Sequence, residues 1–200
     1  HIFGSNSTFT NLPTGTVTIA ADTNYTFGNT STMTFDNQGT VTQTSGKVNK
    51  VGAVFNQTSA GSTEVQSGTL QIERGGSIDG DLTGAGTATL LTGTFTVDAD
   101  ATVSVTSLFL SGTTTFNLGG AGFTSTNLTL SGGTSHSFNG AKVTVPNLTQ
   151  LGSTLQGSAD IEVAGQLTWS GGVMDGSGKT IVPDGATASL GGGVLTLNRD

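Results

Sequence analysis

The residues best suited to chemistry are acidic. Asp79 and Asp81 follow Gly75-Gly76, and Asp175 follows Gly171-Gly172. This is a loose form of the glycine-and-aspartate repeats that bind calcium, a hard cation that takes about six to eight oxygen ligands. Ile78 and Met174 stand where such a repeat needs glycine, and the acid comes one position early in each copy. The expected role is therefore a turn aspartate that satisfies local backbone amides. Asp98 and Asp100 fall on one face of a strand pattern, as do Asp160 and Glu162. Paired carboxylates can hydrolyse a glycosidic bond when they stand about 5 to 9.5 Å apart. The same spacing on an outward face keeps a Thr-rich strand soluble, and that is the expectation for both pairs.

The other candidates are weaker. His136, in Thr134-Ser135-His136-Ser137, has no acidic neighbour to orient it as a triad base, so a surface histidine is expected. Trp169 and Tyr25 fall on the apolar phase of their strands and should fill the core rather than stack on sugars. Thr-x-Thr occurs at Thr14-Thr16-Thr18, Thr30-Thr32-Thr34, Thr40-Thr42-Thr44 and Thr92-Thr94-Thr96, but nowhere from Leu151 onward. An ice-binding ladder needs one copy per repeat at constant spacing. Glycosylation sequons stand at Asn6, Asn24, Asn29, Asn56, Asn127 and Asn147, and richness in Asn and Thr accounts for them. No catalytic, cofactor-binding or metal-ligating residue is expected, and no cofactor.

Composition narrows the classes further. The chain has 200 residues, a net charge of −7 and six scattered Lys and Arg, so it lacks the clustered cations that displace counterions from nucleic acid or anionic membranes. There is no cysteine, which removes thiol catalysis, disulfides and zinc-thiolate sites. No window approaches the ~18 apolar residues of a membrane-spanning helix. With 48 Leu, Val, Phe and Ile and 10% charged residues, the chain can fold around a core. A secretion signal is expected to have been removed or to lie outside these residues, because no basic and apolar leader stands at His1.

The elements are β-strands. Gly, Thr, Ser and Val are poor to mediocre helix formers, whereas Thr and Val suit a pleated surface. Period-2 alternation runs through Phe95, Val97, Ala99, Ala101, Val103 and Val105. It then changes parity at Leu108 and Leu110, which marks a corner or bulge. Shorter strand signals recur from Val17-Ile19 to Leu195-Leu197, separated by glycine-rich turns. Repetition is the decisive signal. Gly75-Gly76-Ser77-Ile78-Asp79-Gly80 returns as Gly171-Gly172-Val173-Met174-Asp175-Gly176, and Phe35-Asp36-Asn37-Gln38 and Phe55-Asn56-Gln57-Thr58 begin similar turns. Two or three strands per repeat give rungs of roughly 20 to 27 residues.

Phe35-Asp36-Asn37-Gln38-Gly39-Thr40-Val41-Thr42, Val65-Gln66-Ser67-Gly68-Thr69-Leu70-Gln71-Ile72 and Leu167-Thr168-Trp169-Ser170-Gly171-Gly172-Val173-Met174-Asp175-Gly176-Ser177-Gly178 carry a resemblance. From about Thr30 onward the chain resembles the β-strand-repeat passengers of large bacterial surface proteins, the autotransporter and filamentous-haemagglutinin-like group. The resemblance implies an all-β, right-handed parallel β-helix exported to the cell exterior, with about eight to nine irregular rungs. One solenoid module spans residues 1–200 and is expected to be a segment of a longer protein. The expected function is non-enzymatic: an extracellular structural or adhesive solenoid serving as fibre, stalk or adhesin segment. Its partners would be surface glycans or proteins, or its own copies end to end, without nucleic acid or membrane insertion. The alternatives are a solenoid that recognises ice or polysaccharide, and a β-helix enzyme that degrades polysaccharide. Pectin-hydrolase signatures are absent, and Arg74 and Arg199 are the only arginines available as a lyase base.

Overall fold

A computed structural model describes residues 6–28, 32–120 and 122–200. His1, Asn29 and Thr30 lie outside the described residues. The described residues form parallel strands and no helix. They wind into a three-sided β-solenoid in which each strand pairs with its equivalents one rung away.

The first face is a ten-stranded sheet. Its strands are Thr8–Asn11, Thr34–Asn37, Val54–Gln57, Gly76–Ile78, Gly93–Val97, Thr114–Leu118, Ser135–Gly140, Thr154–Gln156, Gly172–Met174 and Leu195–Leu197. Ten stacked strands bracket nine circuits of the coil. The second and third faces belong to one 14-stranded sheet. In the early rungs these faces carry separate strands, such as Thr40–Gln43 and Val48–Val51. Later, Asp81–Leu90, Thr102–Leu110, Val143–Leu151 and Ile161–Trp169 run through both faces.

The parity change after Val105 is the corner in those long strands. Val103, Val105, Leu108 and Leu110 are all buried although the two pairs are three residues apart. The pairing register shifts at the same point, between Gly84 and Thr87 and again between Val145 and Asn147. Pro146 sits at the second shift, where its missing N–H leaves no ladder bond unmade. Rungs are uneven: 26 residues separate Asn11 from Asn37, 20 separate Asn37 from Gln57, and 19 separate Asp160 from Lys179. The extra length is absorbed at corners, so the inward columns stay in register.

Those columns are the core. Phe9, Phe35 and Phe55 stack face to face at 5.1 and 5.3 Å between centroids. Phe95, Phe116 and Phe138 repeat this at 5.4 and 5.0 Å. Phe27 and Phe123 meet these stacks edge-on from the other faces. Stacking at the strand spacing gives each ring burial plus about 0.5–1.5 kcal/mol per aromatic pair. Gly76 pairs with Phe55 on one side and Phe95 on the other, between the two stacks. Its φ is +134°, and a Cβ there would lie 1.8 Å from the Phe55 carbonyl oxygen.

Candidate functional site

Two residues beyond the first aromatic stack, the coil buries amides. Asn11 Nδ2 donates to Asn37 Oδ1 at 2.9 Å and to the Thr40 carbonyl at 3.1 Å. Asn37 Nδ2 donates to Gln57 Oε1 at 3.2 Å and to the Ser62 carbonyl at 3.0 Å. Gln57 Nε2 donates to the Asp81 carbonyl at 3.0 Å, and the Thr63 hydroxyl donates to Gln57 Oε1. Each amide thus supplies a donor to a carbonyl just past the corner, a group that is costly to bury unpaired. From the fourth rung onward the column becomes Ile78, Val97 and Leu118. A second buried amide cluster joins Gln43, Ser45 and Asn49.

The acidic candidates are brought together only in part. Ser77 pairs with Thr96 and Ile78 with Val97, which places Asp79 and Asp98 side by side in consecutive rungs. Burial, and then the neighbouring Asp98 charge, raise the Asp79 carboxyl above its ordinary value, against a hydrogen bond from Ser77. Asp98 and Asp100 do not lie on a strand face as the alternation predicts. The strand ends at Val97, and Asp98 Oδ1 accepts the Ala99 N–H at 2.7 Å in the corner that follows. Asp175 Oδ1 likewise accepts the Gly176 N–H at 2.8 Å. The turn role is the one expected of Asp175; for Asp98 it replaces the expected strand position. Asp160 Oδ1 accepts the Lys179 N–H at 2.8 Å, and Glu162 pairs with Lys142 at 3.0 Å. Among the described residues, no group of three or more His, Asp or Glu is arranged to hold a metal ion.

His136 is not at the surface. It is 0% exposed, stacked between Thr114 and Leu155 in the first face. Nδ1 lies 2.9 Å from the Thr114 hydroxyl, and Nε2 has no hydrogen-bond partner. Burial lowers its pKa to about 4 against the opposing pull of the Gly132 carbonyl. The signal was in the sequence: His136 shares the parity of Phe138, and Phe138 points inward. The amide ladder was equally legible as Phe9-Thr10-Asn11, Phe35-Asp36-Asn37 and Phe55-Asn56-Gln57, an aromatic followed two positions later by an amide.

Trp169 fills the core as expected, with Nε1 donating to the Gly171 carbonyl at 3.0 Å. Tyr25 does not: it pairs with buried Asn49 and has the inward phase, yet it is 43% exposed because it belongs to the first rung. Arg199 is buried against backbone oxygens. Its Nε donates to the Gly178 carbonyl at 2.9 Å and its guanidinium to the Ala159 carbonyl at 2.8 Å. Burial lowers its pKa, with Asp160 and Asp175 opposing. Arg74 Nε donates to the Gly52 carbonyl at 2.9 Å. Thr-x-Thr triplets are divided between faces: Thr16, Thr18, Thr40 and Thr42 on the second, Thr94 and Thr96 on the first. Sequon residues Asn56, Asn127 and Asn147 enter side-chain hydrogen bonds between rungs.

Outward side chains form polar columns. On the first face one column reads Thr10, Asp36, Asn56, Ser77, Thr96, Asn117 and Asn139. On the third face Asn127, Asn147 and Gln166 run beside Thr129, Thr149 and Thr168. The geometry presents like groups at one strand spacing, about 4.8 Å.

The class of protein is therefore a β-solenoid of stacked parallel rungs. Comparisons with known protein families, curated proteins and solved structures found no match to this chain.

Proposed function

We propose that this chain is a non-enzymatic, extracellular structural or adhesive solenoid, akin to the passengers of bacterial surface proteins that its repeats resemble. The observation that supports this most is the in-register array of outward Thr, Ser, Asn and Gln. Each group offers one weak hydrogen bond in competition with water. A repetitive partner engages many at once, and such multivalency raises avidity by about 10²–10⁴ over a single contact. The partners are surface glycans or proteins. The parallel ladder along the axis supplies the stiffness that a stalk or adhesin body requires.

The third-face strip of Asn127, Asn147, Thr129 and Thr149 favours polysaccharide among ligands. The test is co-sedimentation of the protein with insoluble polysaccharides and matrix proteins, alongside reducing-end assays and ice-growth microscopy. Weak retention that rises steeply when the protein is displayed on beads is the expected result. Release of sugar ends overturns the non-enzymatic reading, and faceted ice growth at low protein concentration redirects it to ice.

A further inference from the structure

Polar side chains inside a coil need partners, because a buried donor or acceptor left unpaired is costly. The amide ladder and the cluster of Gln43, Ser45 and Asn49 find theirs among themselves and in nearby carbonyls. One corner does not. Among the described residues four buried side-chain atoms have no hydrogen-bond partner. Three of them, His136 Nε2, Gln150 Oε1 and Ser153 Oγ, belong to the corner between the third and first faces. His136 and Gln150 are 0% exposed and Ser153 is 3% exposed.

The chain passes this corner in two consecutive rungs. In the earlier rung it leaves the third face at Ser131 and enters the first at Ser135. In the next it leaves at Leu151 and enters at Thr154. Ser131 pairs with Leu151, and the Thr154 N–H donates to the Thr134 carbonyl at 3.2 Å. The two corners are thus stacked at one strand spacing, about 4.8 Å. Gln150 Nε2 donates to the Ser153 carbonyl at 2.7 Å and to the Val173 carbonyl at 2.9 Å, which folds its amide into the corner beside Ser153. His136 pairs with Leu155, two positions past Ser153, so its ring enters the same corner from the rung before. The Gly132 carbonyl, in the earlier corner, is the group that opposes the effect of burial on this ring.

The three atoms are complementary in what they offer. A neutral histidine carries one N–H. Among the described residues the buried Thr114 hydroxyl has His136 Nδ1 as its side-chain partner, and it is satisfied by donating to that nitrogen. The ring proton then sits on Nε2. Nε2–H and the Ser153 hydroxyl can donate, and Gln150 Oε1 can accept. A buried water typically makes about three hydrogen bonds to groups otherwise unpaired. A hard cation such as calcium takes about six to eight oxygens, and this corner offers two side-chain oxygens beside a protonated ring nitrogen.

We propose that His136 Nε2, Gln150 Oε1 and Ser153 Oγ hold one ordered internal water, which joins two consecutive rungs through the core. The site is independent of what the outward columns bind.

The test uses the wild-type chain with isotope-labelled histidine. The His136 signals are assigned by their loss in His136→Leu. Long-range proton–nitrogen spectra are expected to show Nε2 protonated and Nδ1 bare, with a cross-peak from the Nε2 proton to a long-lived water. A high-resolution crystal structure is expected to show one density peak within hydrogen-bond distance of all three atoms. A proton on Nδ1, no water cross-peak, or a direct hydrogen bond between two of the three groups overturns the proposal. Gln150→Met and Ser153→Ala each remove one partner and should weaken the cross-peak severalfold. Gln166→Met, on the outer surface of the third face, should leave it unchanged. Far-UV circular dichroism verifies each fold. A cross-peak that survives both inner variants at full strength also overturns the proposal, and the two wild-type measurements decide the matter if either variant fails to fold.

Discussion

His136 shows how one buried side chain sets a pH dependence. Its neutral ring is held inside the coil and its pKa is lowered to about 4, while the unfolded chain titrates near 6.5. The unfolded state therefore takes up a proton first as pH falls. The contribution of His136 is complete above pH ~6.5, declines as pH drops toward ~4 and is gone below that, a swing of at most about 3 kcal/mol. Asp79 acts in the opposite sense, because its raised pKa means that acid relieves rather than strains the fold. Denaturant unfolding between pH 4 and 7 should show stability falling with acid in the wild type. In His136→Leu, whose new side chain would stack on Leu155, that slope should flatten. Identical slopes would contradict the assignment.

At the scale of the strand, the alternation Phe95, Val97, Val103, Val105 was legible in the sequence, and all four side chains are buried. The parity change at Leu108 was legible as a corner for the same reason: period 2 admits no slip within a straight strand. Less legible was where strands stop. Asp98-Ala99-Asp100 continues the alternation in letters but forms a corner, since alternation alone does not distinguish a strand from the turn that leaves it. The duplicated Gly-Gly-x-apolar-Asp-Gly segments both build first-face strands, but Ile78 pairs with Val97 whereas Met174 pairs with Leu155 and Leu197. Likeness of letters therefore marked the face and not the column. Buried polar residues were the main omission: His136 read as surface, and nothing in the alternation marked Asn37 or Gln43 as inward, because their partners lie in the adjacent rung (Asn37, His136) or across the corner of the same rung (Gln43). Glycines test this level directly. Gly76→Ala places a methyl against the Phe55 backbone at positive φ, and should destabilise by several kcal/mol, about the cost of forcing apart packed core backbone. Gly152→Ala, at φ +82° with open space around it, should cost only about 1–2 kcal/mol of backbone strain. Thermal unfolding of the two variants checks the order, and equal losses would show that the rungs are not packed as described.

At the scale of the molecule, stability and the proposed function share one source, the registered stacking of rungs. The same pairing that buries two Phe stacks and the amide ladder sets the outward columns at a constant spacing, although the rungs themselves differ in length. Only a parallel coil places residues some twenty positions apart at neighbouring heights on one line. The absence of cysteine allows this to be measured without background, by pulsed electron resonance between two spin labels introduced at Thr10→Cys and Asn139→Cys. Both residues face outward in the same first-face column, six rungs apart. At about 4.8 Å per rung their backbones should be separated by roughly 29 Å, with a narrow distribution. A broad distribution, or a mean displaced from this by more than two rungs, would contradict the stacked coil on which the functional reading depends.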